Sequence, residues 1–257
     1  NDSIIPLTLV GTYHPVKNDE LLAVLSDKKE TRIIWDLSVK TPKEIILQRE
    51  NIDTIQEILL DSGSKYTEMN EDGSEVLFSD DEKIVRYHQN GFFDYRLRQL
   101  NGPKGAVEEA FEKAVAFIEA RRKKIIYETD INLRSIESKE NYYVFTFDYL
   151  FDDMDLEVLD EGTRTIGPVI TISANRERVL DVKWYIKTLE YNDYHNYYNL
   201  NFYDFYENQL VSEPQFGGQI QDITIKYLYS ENGMRAEPYW MVETDQKFYL
   251  KMDPEVE

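Results

Sequence analysis

Three histidines, His14, His88 and His195, are the side chains in this chain best suited to acid–base or metal chemistry. None has another histidine three or four residues away, the spacing that places two imidazoles on one helix face. A zinc site needs a closed cluster of three or four ligands, and the chain has no cysteine to contribute. We therefore interpret the histidines as surface or turn residues and predict no metal site around them.

A run of acidic residues near the middle of the chain has the oxygen ligands that Ca²⁺ prefers. Its members are Asp148, Asp152, Asp153, Asp155, Glu157, Asp160 and Glu161. The spacing departs from that of an EF-hand loop, because Val158 stands where the turn glycine would be, counting from Asp153. We interpret the run as a solvated hairpin tip or loop, and a weak calcium site is the alternative.

The sequence has no motif of a known catalytic or nucleotide-binding site. It has no G-x-S-x-G, no Walker A motif and no G-x-G-x-x-G. Paired carboxylates of the glycosidase kind carry little weight, because a chain with 49 acidic residues contains many pairs by chance. We therefore predict no catalytic residue, no cofactor and no enzymatic activity, with a surface hydrolase as a third hypothesis.

The chain is strongly acidic, with 49 Asp and Glu against 29 Lys and Arg, and a formal net charge of −20. Nucleic-acid binding starts from basic side chains that displace counterions from phosphates. Anionic membrane surfaces also attract basic segments. The charge therefore argues against a nucleic-acid partner and against electrostatic docking on a membrane.

Eight aromatic residues lie within positions 191–206, the most unusual composition in the chain. The structural interpretation is a tyrosine-rich turn that leads into a helix at 201–210 packed on a sheet. The functional interpretation is a protein interface or a surface for sugar stacking, since tyrosine brings a large contact area at low entropic cost. One small helix cannot bury eight aromatic rings, so we expect some to be exposed. The candidates for an exposed rim are Tyr191, Tyr194, Tyr197 and Tyr198.

Three predicted helices would position these side chains. The first is expected over 43–60, because Thr41, Pro42 and Glu44 match an N-cap, a first-turn proline and a capping box. The second, over 104–122, has an apolar stripe at helical spacing, and the third is at 201–210. Strand-like segments lie between them, and Asn90-Gly91 predicts a hairpin with a type I′ turn.

The predicted fold class is α+β, with two to three small units that are each an antiparallel β-meander packed against a helix. We expect an N-terminal unit at 1–100, a central unit at 101–190 and a partial C-terminal unit at 191–257. Residues 1–40 are either a stalk or part of the first unit. The tryptophans, Trp35, Trp184 and Trp240, are interpreted as core residues.

Several strand-like segments resemble a known family. The segments are YYVFTFDY at 142–149, GPVITI at 167–172, IQDITIKY at 220–227 and EPYWMV at 237–242. Together they resemble the extracytoplasmic region of the YycH/YycI family, accessory proteins of the WalK (YycG) sensor histidine kinase of Gram-positive bacteria. The resemblance covers about the last 150 residues, and the chain length is closer to YycI than to YycH.

The resemblance implies a regulatory protein at the extracytoplasmic face of the cell membrane. Family members carry one N-terminal transmembrane helix, and we expect this anchor to lie upstream of Asn1. The implied partners are the sensor histidine kinase and a sister YycH-type protein, in a homodimer or a heterodimer. The alternative is a secreted PepSY-like or cystatin-like domain that binds or inhibits a ligand.

Overall fold

A computed structural model of the chain describes residues 31–60, 64–125, 129–160, 165–199, 205, 220–230, 233–243 and 247–252. These residues form an α+β fold with antiparallel strands and few helices, which confirms the predicted fold class. His14 lies outside the described residues, and so does the helix predicted at 201–210 apart from Phe205.

The described elements are mostly strands. In chain order the strands are β1 (Thr31–Lys40), β2 (Tyr66–Met69), β3 (Glu75–Ser79), β4 (Lys83–His88), β5 (Phe92–Leu97), β6 (Asp130–Ser138), β7 (Tyr143–Phe151), β8 (Met154–Asp160), β9 (Thr165–Gly167), β10 (Ile170–Ala174), β11 (Val179–Tyr185), β12 (Thr188–Asn199), β13 (Asp222–Ser230), β14 (Arg235–Glu243) and β15 (Lys247–Lys251). The helices are α1 (Ile52–Leu59) and α2 (Val107–Arg122), with 3-10 turns at Lys43–Ile45 and Arg49–Asn51. Neither helix is long and apolar enough to cross a membrane, and no other described helix is.

The chain forms two compact units, and the first comprises Asn1–Leu37, Tyr191–Tyr227 and Glu237–Glu257. Its strands follow the order β12–β1–β14–β13, with β15 beside β14. Trp240 on β14 is buried and stacks on Phe205 with ring centroids 4.6 Å apart. The prediction that Trp240 is a core residue is confirmed.

The second unit comprises Ser38–Glu190 and Leu228–Ala236. Its antiparallel sheet has the order β8–β7–β10–β11–β5–β4–β3–β2, with β6 beside β7 and β9 beside β8. Strands β5 and β11 pair directly, with Phe93 opposite a fully buried Trp184. The predicted division into units at 1–100, 101–190 and 191–257 stays a prediction.

Helix α2 packs on one face of this sheet, as its apolar stripe predicts. Ile118 is fully buried, and Phe111 lies against Phe145 on β7 with ring centroids 5.5 Å apart. The helix begins where the Glu109 carboxylate accepts a hydrogen bond from the backbone N–H of Ala106, at 3.0 Å. Burial of a side chain such as Ile118 contributes about 1.5–3 kcal/mol.

The helix predicted over 43–60 begins only at Ile52. Pro42 is extended, with ψ 135°, and leads into a single 3-10 turn. The chain becomes extended at Ile46, which is exposed, whereas Ile45 and Leu47 on either side of it are buried. Burial of alternate apolar side chains therefore overrides the helix-start signals in the sequence.

The hairpin predicted at Asn90-Gly91 is present, but its turn is of another type. Tyr87 on β4 lies opposite Phe93 on β5. Of the two turn residues only Gly91 has a positive φ, at 81°, and its N–H donates to His88 O at 2.9 Å. This matches a three-residue loop that ends in a left-handed glycine, whereas type I′ requires positive φ at both positions.

A two-residue turn with positive φ at both positions lies between β7 and β8. Asp152 and Asp153 have φ of 50° and 62°, and Phe151 pairs with Met154 across the turn. Aspartate tolerates the left-handed region because its short side chain bonds to the local backbone. The acidic segment at 152–153 is therefore a hairpin tip, as one of the two sequence interpretations proposed.

Strand β6 is absent from the sequence prediction. Its pairing with β7 shifts register after Leu133, so Arg134 is the extra residue of a β-bulge. Leu133 and Ile136 are three residues apart, yet they lie opposite Phe147 and Phe145, which are two apart. Both apolar side chains thus share one face of the sheet, and the bulge interrupts the period-two pattern that identifies strands.

Candidate interaction site

An exposed aromatic pair lies in the first unit. Tyr191 on β12 is 54% exposed, and its ring meets Trp35 of β1 edge-on with centroids 5.5 Å apart. The buried Tyr227 donates its hydroxyl hydrogen to the Trp35 carbonyl oxygen at 2.8 Å and so fixes the backbone of β1. The sequence predicted Trp35 as a core residue, but the structure shows that it is only half-buried. Such a pair suits a protein contact, because aromatic rings supply large area at low entropic cost.

The other predicted rim residues are not on the described surface. Tyr198 is 4% exposed and belongs to the packed interior, which corrects the prediction that it lies on an exposed rim. The side chains of Tyr194, Tyr197 and His195 lie outside the described part of the molecule. The backbone of 191–199 is strand and not a turn, in keeping with the preference of tyrosine for strands.

The second unit buries a lysine that the sequence analysis did not single out. Lys187, between β11 and β12, is 5% exposed. Its Nζ donates to Thr41 Oγ1 at 3.2 Å and lies 5.5 Å from the ring centroid of Tyr229. No carboxylate among the described residues pairs with it, and burial lowers the pKa of Lys187 to about 8, because desolvation disfavours the charged form. A lysine in this state can bind an anion or act as a base when neutral.

The hydroxyl group of Tyr149 holds the backbone around Lys187 in place. The Tyr149 hydroxyl donates to the Tyr185 carbonyl oxygen at 2.6 Å. The Tyr149 hydroxyl oxygen in turn accepts hydrogen bonds from Trp184 Nε1 at 2.9 Å and from the Lys187 N–H at 3.2 Å. Trp184 is fully buried, as predicted. These bonds fix where β11 ends and therefore where the Lys187 side chain begins.

A second buried charge cluster joins β6, β7 and β8. Arg134 Nη1 lies 3.3 Å from Asp148 Oδ1 and 3.2 Å from Glu157 Oε1. Both acidic residues are almost completely buried. These two members of the acidic run therefore bind a cationic side chain of the same chain.

The remaining chemistry-bearing residues do not converge. Asp155 Oδ1 accepts a hydrogen bond from Asn132 Nδ2 at 3.1 Å. His88 on β4 has its Nδ1 3.4 Å from Glu75 Oε2. Within the described ranges, no group of three or more acidic or histidine side chains is arranged to hold a metal ion.

The sequence contained a weak signal for the position of Arg134. Arg134 stands between Leu133 and Ile136, and this three-residue apolar spacing around a charge is what a bulged strand produces. Lys187 follows Ile186, the last residue of a period-two apolar series, so its position resembles a polar turn. Its burial follows from tertiary packing that no local pattern encodes.

Comparison with known proteins gives a likeness of fold. No family model matches the chain, and no curated protein matches its sequence significantly. The crystal structure of YycH from Bacillus subtilis is similar with a TM-score of 0.51 and 11% identity, over 90% of this chain. The chain spans 60% of that structure's length. The C-terminal domain of Bacillus megaterium YpeB aligns over 95% of both chains at 9% identity, but its TM-score of 0.36 is too low to establish a shared fold.

Proposed function

We propose that this chain is a non-enzymatic extracytoplasmic regulatory domain of a single-pass membrane protein. Its target would be a sensor histidine kinase of the WalK (YycG) type, which controls cell-wall homeostasis. The observation that carries the proposal is the fold likeness to YycH over 90% of the chain. Independent support comes from the sequence resemblance, whose four segments lie largely in β7, β10, β13 and β14.

A regulator of this kind acts by binding one conformation of its target better than another. The Trp35–Tyr191 pair supplies an exposed aromatic contact for the kinase or for a sister YycH-type protein. Tyr194 and Tyr197 stay proposed members of the same surface. A closer relation to YycI than to YycH is part of the proposal and rests on chain length.

The test uses the complete gene product, reconstituted in membranes with a WalK-type kinase. We expect the two proteins to copurify and the rate of kinase autophosphorylation to change several-fold. Tyr191→Ser should weaken this effect, whereas Tyr66→Ser, which removes an equally exposed ring from β2, should not. Unchanged autophosphorylation without copurification would overturn the proposal and favour the secreted PepSY-like or cystatin-like alternative.

A further inference from the structure

Strand β6 forms an edge of the second unit's sheet within the described part of the chain. Its strand partner there is β7, antiparallel, with Asp130 opposite Leu150 at one end and Ser138 opposite Tyr143 at the other. The backbone N–H and C=O groups on the side away from β7 thus meet no other described strand. Backbone groups bond strongly, so such an edge is a template for another strand.

Apolar side chains lie beside this open edge. Leu133 is 38% exposed and Ile136 is 48% exposed. Their partners on β7 are Phe147 and Phe145, which are buried under Phe111 of α2 with ring centroids 6.3 and 5.5 Å away. The apolar layer beneath the helix therefore continues to the sheet edge and stays exposed there. A strand added to β6 would cover it.

The bulge at Arg134 holds the edge in one register. Arg134 faces the opposite side of the sheet from Leu133 and pairs there with Asp148 and Glu157. A slip by one residue would exchange the faces, carry Arg134 into the apolar layer and leave two buried carboxylates without their cation. The edge is therefore pre-organised, which lowers the entropic cost of binding.

Charge decides between possible occupants of the edge. The exposed charged side chains of β6 are Asp130 and Glu137, both acidic. Nearby cations already have partners, since Arg134 pairs with buried carboxylates, Lys139 contacts Glu137, and Lys104 donates to Ser138 Oγ at 2.7 Å. A second copy would carry the same net charge of −20, and repulsion between like-charged chains opposes their association.

We propose that β6 is a docking edge for an extended segment of a partner protein that alternates apolar and basic residues. The segment adds a strand to the sheet, places its apolar side chains beside Leu133 and Ile136, and presents Lys or Arg to Asp130 at the end of β6. This is recognition by strand addition, in which the backbone ladder gives affinity and alternate side chains give specificity. The inference deepens the proposed function by naming a binding mode, and it is testable without a kinase.

The probe is a peptide of about ten residues that alternates valine and lysine, titrated into the purified chain by calorimetry at low salt. We expect binding that protects β6 amides from hydrogen exchange and weakens as salt increases. Ile136→Asn should weaken it about tenfold, whereas Tyr66→Asn on β2, with similar exposure, should leave it unchanged. If Ile136→Asn lowers the melting temperature, Ile136→Thr retains strand propensity and should still weaken binding measurably.

Two further peptides separate the competing explanations. A valine–glutamate peptide should bind at least tenfold more weakly, and a valine–lysine peptide N-methylated at alternate residues, which cannot complete a ladder, should not bind. Equal binding of either peptide, or protection that spares β6, would overturn the proposal. A dimer in sedimentation that Ile136→Asn dissolves would assign the edge to a second copy instead. If the peptide binds at β6 but kinase autophosphorylation does not change, only the proposed function is contradicted.

Discussion

Arg134 and Lys187 are two cationic side chains of the second unit, and the groups that contact them differ. Arg134 lies between two buried carboxylates, whereas Lys187 contacts a hydroxyl and an aromatic ring. Burying an ion costs several kcal/mol unless opposite charge and hydrogen bonds compensate. The effect of a cationic side chain on stability therefore depends on the charged or polar groups that contact it. Removal of these two cations should therefore change stability in opposite directions.

The largest effect is expected from Arg134→Met. The variant leaves Asp148 and Glu157 buried without their cation, and breaking a buried pair in this way costs about 3–5 kcal/mol. Urea unfolding at pH 7 measures the loss.

Lys139→Met is the control for this variant. Lys139 contacts Glu137 at the surface just beyond β6, and an exposed pair contributes about 0–1 kcal/mol. A loss in Arg134→Met no greater than in Lys139→Met would show that Arg134 does not compensate the buried carboxylates.

Lys187→Met should stabilise the protein by about 1–3 kcal/mol, because methionine fills similar space without the cost of burying a charge. The lost hydrogen bond to Thr41 Oγ1 limits the gain. Lys183→Met, on the exposed side of β11, is the matched control and should change stability by less than about 0.5 kcal/mol. A Lys187→Met variant less stable than the parent chain would contradict the comparison.

The pH dependence of stability in the parent chain and in Lys187→Met independently checks the cost of burying Lys187. The Lys187 pKa is about 8 in the folded chain against an ordinary value of 10.5. Between these values the unfolded state binds more protons, so the free energy of unfolding of the parent chain rises with pH relative to Lys187→Met. The cost of Lys187 is fully present below pH 8 and is relieved as the pH approaches 10.5. Chemical denaturation of both proteins across this window measures the closing gap, and a constant gap would refute the lowered pKa.

The sequence predicted those parts of the fold that local patterns encode. The apolar stripe of α2 and the hairpin at Asn90-Gly91 were both visible, because periodicity and turn chemistry act over a few residues. The helix start at Thr41-Pro42 was wrong because the chain makes a single 3-10 turn at Lys43–Ile45 and is extended at Ile46, which buries Ile45 and Leu47 on either side of it. Local signals are weak preferences, and tertiary burial overrides them.

The candidate site was less predictable than the fold. Tyr191 is exposed as expected, but Tyr198 is buried, because a strand alternates its faces and composition alone does not give the phase. Strand β6 was missed because the bulge at Arg134 breaks its alternation. The burial of Lys187 depends on contacts with Thr41 and Tyr229, which are distant in sequence, and no single-sequence pattern reports such contacts.

The smallest effect is expected for the difference between Gly91→Ala and Gly73→Ala, which tests how tightly the surroundings of Lys187 are packed. Gly91 has φ of 81°, and a Cβ there would lie 2.8 Å from the Ile186 carbonyl oxygen, 3.2 Å from Thr41 Oγ1 and 3.5 Å from Lys187 Cε. Alanine in this left-handed backbone conformation costs about 1–2 kcal/mol, and its Cβ must also displace the Ile186 carbonyl oxygen. Gly73 has φ of 74° with nothing within 4 Å of an added Cβ, so Gly73→Ala isolates the backbone cost.

We expect Gly91→Ala to lose about 1 kcal/mol more than Gly73→Ala in urea unfolding, since backbone contacts below 3 Å cannot relax by side-chain rotation. The excess should persist in a Lys187→Met background, because the closest atom belongs to the Ile186 backbone and not to Lys187. If the additional loss in Gly91→Ala disappeared in the Lys187→Met background, the lysine side chain, and not the Ile186 backbone, would be the group that opposes the added Cβ.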